Sequence, residues 1–121
     1  MSRFHQAHLE RRGEPRVALD ARARVFQGQG LALWADCVIK DLSASGAKIE
    51  LSHVHKLSPR FVLLHLEAGN AFEVILKWRR GDLAGMSLER THALVAPTVE
   101  PHLVTVREAW MALQPNRPPA P

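Results

Sequence analysis

The chain has 121 residues, a mass of 13.5 kDa and 46% hydrophobic residues, enough for one compact domain and too little for a second full-size one beside it. At this mass about two-thirds of the unfolded surface can be buried, so a metal or disulfide staple is optional, and the single cysteine, Cys37, excludes an internal disulfide and any multi-cysteine metal cluster. Sixteen Lys and Arg against twelve Asp and Glu give a net charge of +4 and a pI near 10.0, favouring anionic partners without choosing among nucleic acid, nucleotide and membrane.

Met1 to Arg16 is polar and arginine-rich with no sustained periodicity, and reads as a flexible basic N-terminal arm. Six arginines fall within the first 26 residues, and arginine's planar fork suits phosphate and guanine edges better than a lysine point charge. Pro15 holds Glu14 out of the helical region and feeds the chain onward in extended form. Val17, Leu19, Ala21, Ala23 and Val25 then alternate with Asp20, Arg22 and Arg24, the period-two pattern of a half-buried strand. After a turn at Gly28-Gln-Gly30, Leu33, Ala35, Cys37 and Ile39 are expected inward and Asp36 and Lys40 outward.

Beyond Asp41-Leu-Ser-Ala-Ser-Gly46, Ala47, Ile49 and Leu51 mark a third strand, alternating with Lys48 and Glu50. Phe61 to Glu67 is too uniformly apolar for its buried face to be fixed by alternation. The turn Ala68-Gly-Asn70 joins it to Ala71 to Arg79, where Phe72, Val74, Leu76 and Trp78 define one face. Leu83 to Glu89 is a weaker strand containing Gly85. Six short strands with close turns leave no room for repeated βαβ crossovers, so the expected fold is all-β: a six-stranded antiparallel β-barrel whose closure hides the edges. The period changes at Pro101, where Leu103, Val106, Trp110 and Leu113 predict a C-terminal helix over about 101–114 that covers one mouth or flank, with Trp110 as its anchor. The prolines of 115–121 end it in a flexible tail.

Two features suggest chemistry. Arg11-Arg12-Gly-Glu-Pro-Arg16 taken alone reads as a solvated basic arm, and Asp41-Leu-Ser43-Ala-Ser-Gly46 taken alone as a turn built on Asp, Ser and a permissive Gly. Together, in this order, they resemble the PilZ domain family, with its Arg-x-x-x-Arg arm and later Asp/Asn-x-Ser-x-x-Gly segment. The resemblance continues through Lys77-Trp78-Arg79 and Leu83-Ala-Gly85-Met-Ser-Leu88, and covers about residues 10–90 of a single PilZ-like domain spanning 1–121.

The resemblance implies a PilZ-type barrel that binds the bacterial messenger cyclic di-GMP, needs no cofactor, and passes the signal to a protein partner of unknown identity. On that reading Arg12 and Arg16 take the phosphates and guanine edges, Asp41 accepts from a guanine N–H edge, Ser43 hydrogen-bonds, and Gly46 lets the turn approach the ligand. Arg11, immediately before the motif, is compatible with a stacked pair of messenger molecules.

Other readings are weaker. A nucleic-acid-binding small barrel would want a ladder of exposed aromatics, and only Trp34 and Trp78 are conspicuous; Trp34 is open between ligand or partner contact and packing on the arm or helix. An enzyme is not expected, because Ser43 and Ser45 lie in no nucleophile motif and Cys37 sits in a strand pattern. Metal binding by His53-x-His55, joined by His65, lacks the ligands of a structural site. A PilZ-like interaction module that no longer needs the messenger is the main alternative. Neither an export signal nor a run of about 20 apolar residues is evident, so a cytoplasmic location without membrane insertion is the expectation.

Overall fold

Alternating apolar residues bury one face of each extended segment, and a computed structural model, which describes residues 17–114, shows where those faces meet. Six strands follow in chain order: β1 Val17–Gln27, β2 Leu33–Leu42, β3 Gly46–Glu50, β4 Arg60–His65, β5 Asn70–Arg80 and β6 Leu83–Ala93. A 3-10 turn, Pro101–Leu103, then leads into helix α1, Val104–Ala112. The expected helix over 101–114 is thus an α-helix of nine residues behind a 3-10 turn, with Pro101 in its opening turn where no amide donor is needed. The arm before Val17 and the tail after Gln114 lie outside the described residues.

All pairings are antiparallel, and the order β1-β2-β3-β6-β5-β4 brings β4 back beside β1. The expectation of a six-stranded antiparallel β-barrel whose closure hides its edges needs correction. β1 and β4 meet over four residue pairs, from Ala23↔His65 to Phe26↔Val62. Val17 and Ala18 pair on the β2 side alone, β2 residues 33–37 pair with β1 alone, and β6 residues 90–93 with β5 alone. The cause is local: β3 has five residues and cannot match the ten of β2, and a register shift between Ala18 and Ala21 diverts the start of β1. The molecule is a six-stranded sheet that curls round and closes on itself at a short β1–β4 seam, leaves strand ends paired on one side only, and carries a C-terminal helix.

Two apolar clusters hold it together. The concave interior contains Ala23, Val25, Ile39, Ile49, Leu63 and Val74, all 2% exposed or less. The second lies outside the sheet over the seam, where Phe26, Val62, Leu64 and Leu94 pack against Leu103 and Val106 of the C-terminal segment. β4 is therefore buried on both faces, Phe61 and Leu63 inward and Val62 and Leu64 under the helix, which explains its missing alternation. The Trp110 indole N–H donates to the Leu66 carbonyl at 3.0 Å, anchoring α1 as its spacing predicts. Gly69 permits this: its φ is 69°, and a Cβ there would lie 2.9 Å from the indole.

Inward positions differ from expectation at the strand ends. Val17 and Leu33 are 58% and 64% exposed, because no described residue covers the sheet there. Trp78 leaves the line of Phe72 and Val74 because the register shift between Leu76 and Trp78 puts one extra residue, Lys77, on β5 and turns the strand's phase there.

Candidate functional site

The Asp41 to Gly46 segment is the tight connection between β2 and β3. The Ser43 amide donates to the Gly46 carbonyl at 2.9 Å, and the Gly46 amide donates back to Ser43 Oγ at 3.1 Å. Ser43 thus fixes the turn with its own hydroxyl and keeps one lone pair for a further donor. Gly46 has no positive φ; its role is close approach, since a Cβ would sit 3.2 Å from the Met86 carbonyl of β6. The permissive-backbone reading of Gly46 is replaced by this packing constraint.

Asp41 is half-buried and pairs with Lys48 Nζ at 3.1 Å from the facing position on β3. The motif alone does not single out Lys48 as part of the site. Part of the signal is legible, because Lys48 lies between the inward-facing Ala47 and Ile49 and must therefore face outward. That it faces Asp41 in particular follows from strand register, which the sequence pattern does not carry.

The pairing continues across the sheet. Ala18 faces Asp41, Asp41 faces Lys48, Lys48 faces Gly85, and Gly85 faces Trp78, a row crossing β1, β2, β3, β6 and β5. Gly85 is the floor under the Trp78 indole, since a Cβ there would fall 2.1 Å from its Nε1. The Arg80 guanidinium stands 5.1 Å from the centre of that indole. One row therefore offers an acidic acceptor, a cation and an aromatic surface in line.

Arg11, Arg12 and Arg16 lie outside the described residues, so their side chains are not placed. The strand that follows them is: Val17 and Ala18 pair with Leu42 and Asp41. The residue after Arg16 in the chain is thus opposite the start of the Asp41 to Gly46 turn.

The remaining candidates resolve differently. Trp34 is 55% exposed and lies under the Arg24 guanidinium at 3.7 Å, with Arg24 Nε donating to Asp36 at 2.7 Å, so its partner among the described residues is on β1 and not on the helix. Cys37 is buried, and burial, reinforced by the Asp36 charge, pushes its thiol up to about 12, far from a nucleophile's range. His53 receives its partner from the β5–β6 turn, with Nδ1 2.9 Å from Asp82 Oδ1, while the buried His65 accepts from the Ala68 amide at 3.3 Å. Arg79 is a structural clamp, donating to the carbonyls of Leu51, Ser52, His55 and Gly81.

A second polar cluster joins the far ends of β5 and β6 to the segment before α1. His92 Nε2 lies 2.6 Å and His102 Nε2 3.3 Å from the same oxygen of Glu73, and Arg90 bridges Glu73 and Glu100. Burial alone would raise the Glu73 pKa, but the bonds from His92 and His102 outweigh it and hold the carboxyl below its ordinary 4.5.

Among the described residues no helix is long and apolar enough to cross a membrane. No curated protein matches the chain. A model of the PilZ domain matches residues 10–92, most of the sequence and all six strands up to the penultimate residue of β6. PilZ domains are non-catalytic receptor modules, and membership supports a general role in cyclic di-GMP binding and signalling. With the match spanning the arm, the turn and the sheet between them, the chain belongs to the PilZ domain family.

Proposed function

We propose that the chain is a cyclic di-GMP receptor and adaptor in which the arginine arm closes onto the Asp41 to Gly46 turn. The observation that supports this most directly is the pairing of Val17 and Ala18 with Leu42 and Asp41, which sets the residues that follow the arm in sequence opposite the start of the turn. Arg12 and Arg16 supply fork-shaped donors to the two phosphodiesters and to guanine O6 and N7. Asp41 accepts from the guanine N–H edge, Ser43 offers its remaining lone pair, and Gly46 keeps the turn thin. Lys48, whose ammonium pairs with Asp41, transfers to a phosphate when a guanine takes its place. Arg11 stacks on a base and favours a pair of messenger molecules.

Closure changes the exposed charge of one face, and that change is what a partner protein reads. Calorimetric titration with cyclic di-GMP tests the reading, with GMP and Arg16→Ala as controls. Saturable binding that GMP fails to reproduce and Arg16→Ala weakens is expected, at two messengers per chain. One messenger per chain would contradict the pair, and no binding by folded protein would leave a messenger-independent interaction module.

A further inference from the structure

Glu73, His92, Glu100 and His102 come from β5, β6 and the segment leading into α1, yet their polar atoms converge. One donor atom each from Glu73, His92 and Glu100 lies within 4.8 Å of the others. His102 stands beside the group, meeting Glu73 through Nε2 at 3.3 Å and Glu100 through Nδ1 at 3.7 Å, two nitrogens of which one can bind an ion. We propose that Glu73, His92 and Glu100, with His102 turning one nitrogen inward as the fourth ligand, form a divalent transition-metal site, of the chemistry zinc takes, that clasps the segment before the C-terminal helix to the sheet.

Two imidazoles and two carboxylates are a donor set zinc accepts, and a tetrahedral shell with bonds of about 2.0–2.2 Å places its ligands about 3.4 Å apart. The donor atoms of Glu73, His92 and Glu100 lie within 4.8 Å of one another, so drawing them in to that figure and turning the His102 ring completes the proposed shell. Two carboxylates also balance the charge of a dication. Arg90 now supplies that balance, pairing with both Glu73 and Glu100 from a side chain 56% exposed. A metal ion displaces this guanidinium into solvent. His92, at 13% exposure, gives the site a sheltered inner side, and the imidazoles bind as neutral rings.

The test is titration of the full chain with Co2+, read by visible absorption, and with Zn2+ in competition with a chromophoric chelator. One Co2+ per chain with an intense tetrahedral band, displaced by Zn2+, is expected. Glu73→Gln and His92→Gln weaken Zn2+ by about a hundredfold or more, and Arg90→Gln tightens it by removing the competing cation. His5→Ala/His8→Ala leaves the band in place. Absence of the band, or a band that survives in both Glu73→Gln and His92→Gln, overturns the proposal. Circular-dichroism melts of each metal-free variant establish folding, and Arg90→Gln keeps the test decisive if a ligand variant is destabilised. The outcome is independent of messenger binding.

Discussion

Cys37, His65 and Lys48 each carry a consequence of their surroundings. With its thiol pushed up to about 12 by burial and then by Asp36, Cys37 has almost no thiolate at neutral pH. An aromatic disulfide reagent is expected to leave it unmodified in native protein and to react on unfolding; fast native labelling would contradict this. Burial, opposed by the Glu67 charge, lowers the His65 pKa below its ordinary 6.5. The unfolded chain then takes up a proton that the native one refuses, so His65 contributes stability above pH 6.5 that is lost as pH falls toward its folded value. Urea midpoints should drop as pH is lowered through the ordinary histidine range, and drop less in His65→Leu. Lys48 faces Asp41 at 3.1 Å and, on the proposed reading, moves to a phosphate. Lys48→Met should weaken cyclic di-GMP about tenfold, roughly 1.4 kcal/mol; tighter binding would mean that Lys48 only competes for Asp41.

At the scale of elements, α1 owes its position to its buried face more than to its own helical stability, since nine residues are too few for a stable isolated helix. Leu103, fully buried against the seam, should cost about 2–5 kcal/mol on replacement by Ala, whereas Val104→Ala, at an exposed neighbour, should stay within about 0.5 kcal/mol. Chemical denaturation of the two variants checks the contrast. Most strands are legible in the sequence because Ala21, Ala23 and Val25, or Ala47 and Ile49, alternate with charges. The buried face of β4 is not, because a strand covered on both faces loses that signal. Alternation misplaces Trp78 because a bulge shifts phase without changing composition, and it hides the Asp41–Lys48 and Glu73–His92 contacts because they depend on strand register, and the His102 contact because it depends on how the segment before α1 docks. Asp41, Ser43 and Gly46 stand out as a motif, though not the Met86 carbonyl that explains the glycine.

Over the whole molecule, the curled sheet places two polar regions on shared strands: the row through Lys48, Gly85 and Trp78, and the Glu73–His92 cluster farther along β5 and β6. The short seam is covered by the C-terminal segment, so the sheet's weakest closure and its helix form one unit. Whether the arm closes on the turn is read by an amide-resolved NMR titration of the full chain with cyclic di-GMP. Simultaneous perturbation of residues 10–16 and of Asp41 to Gly46 is expected, with Lys48 and Gly85 following. Saturable binding that leaves residues 10–16 unperturbed would contradict it.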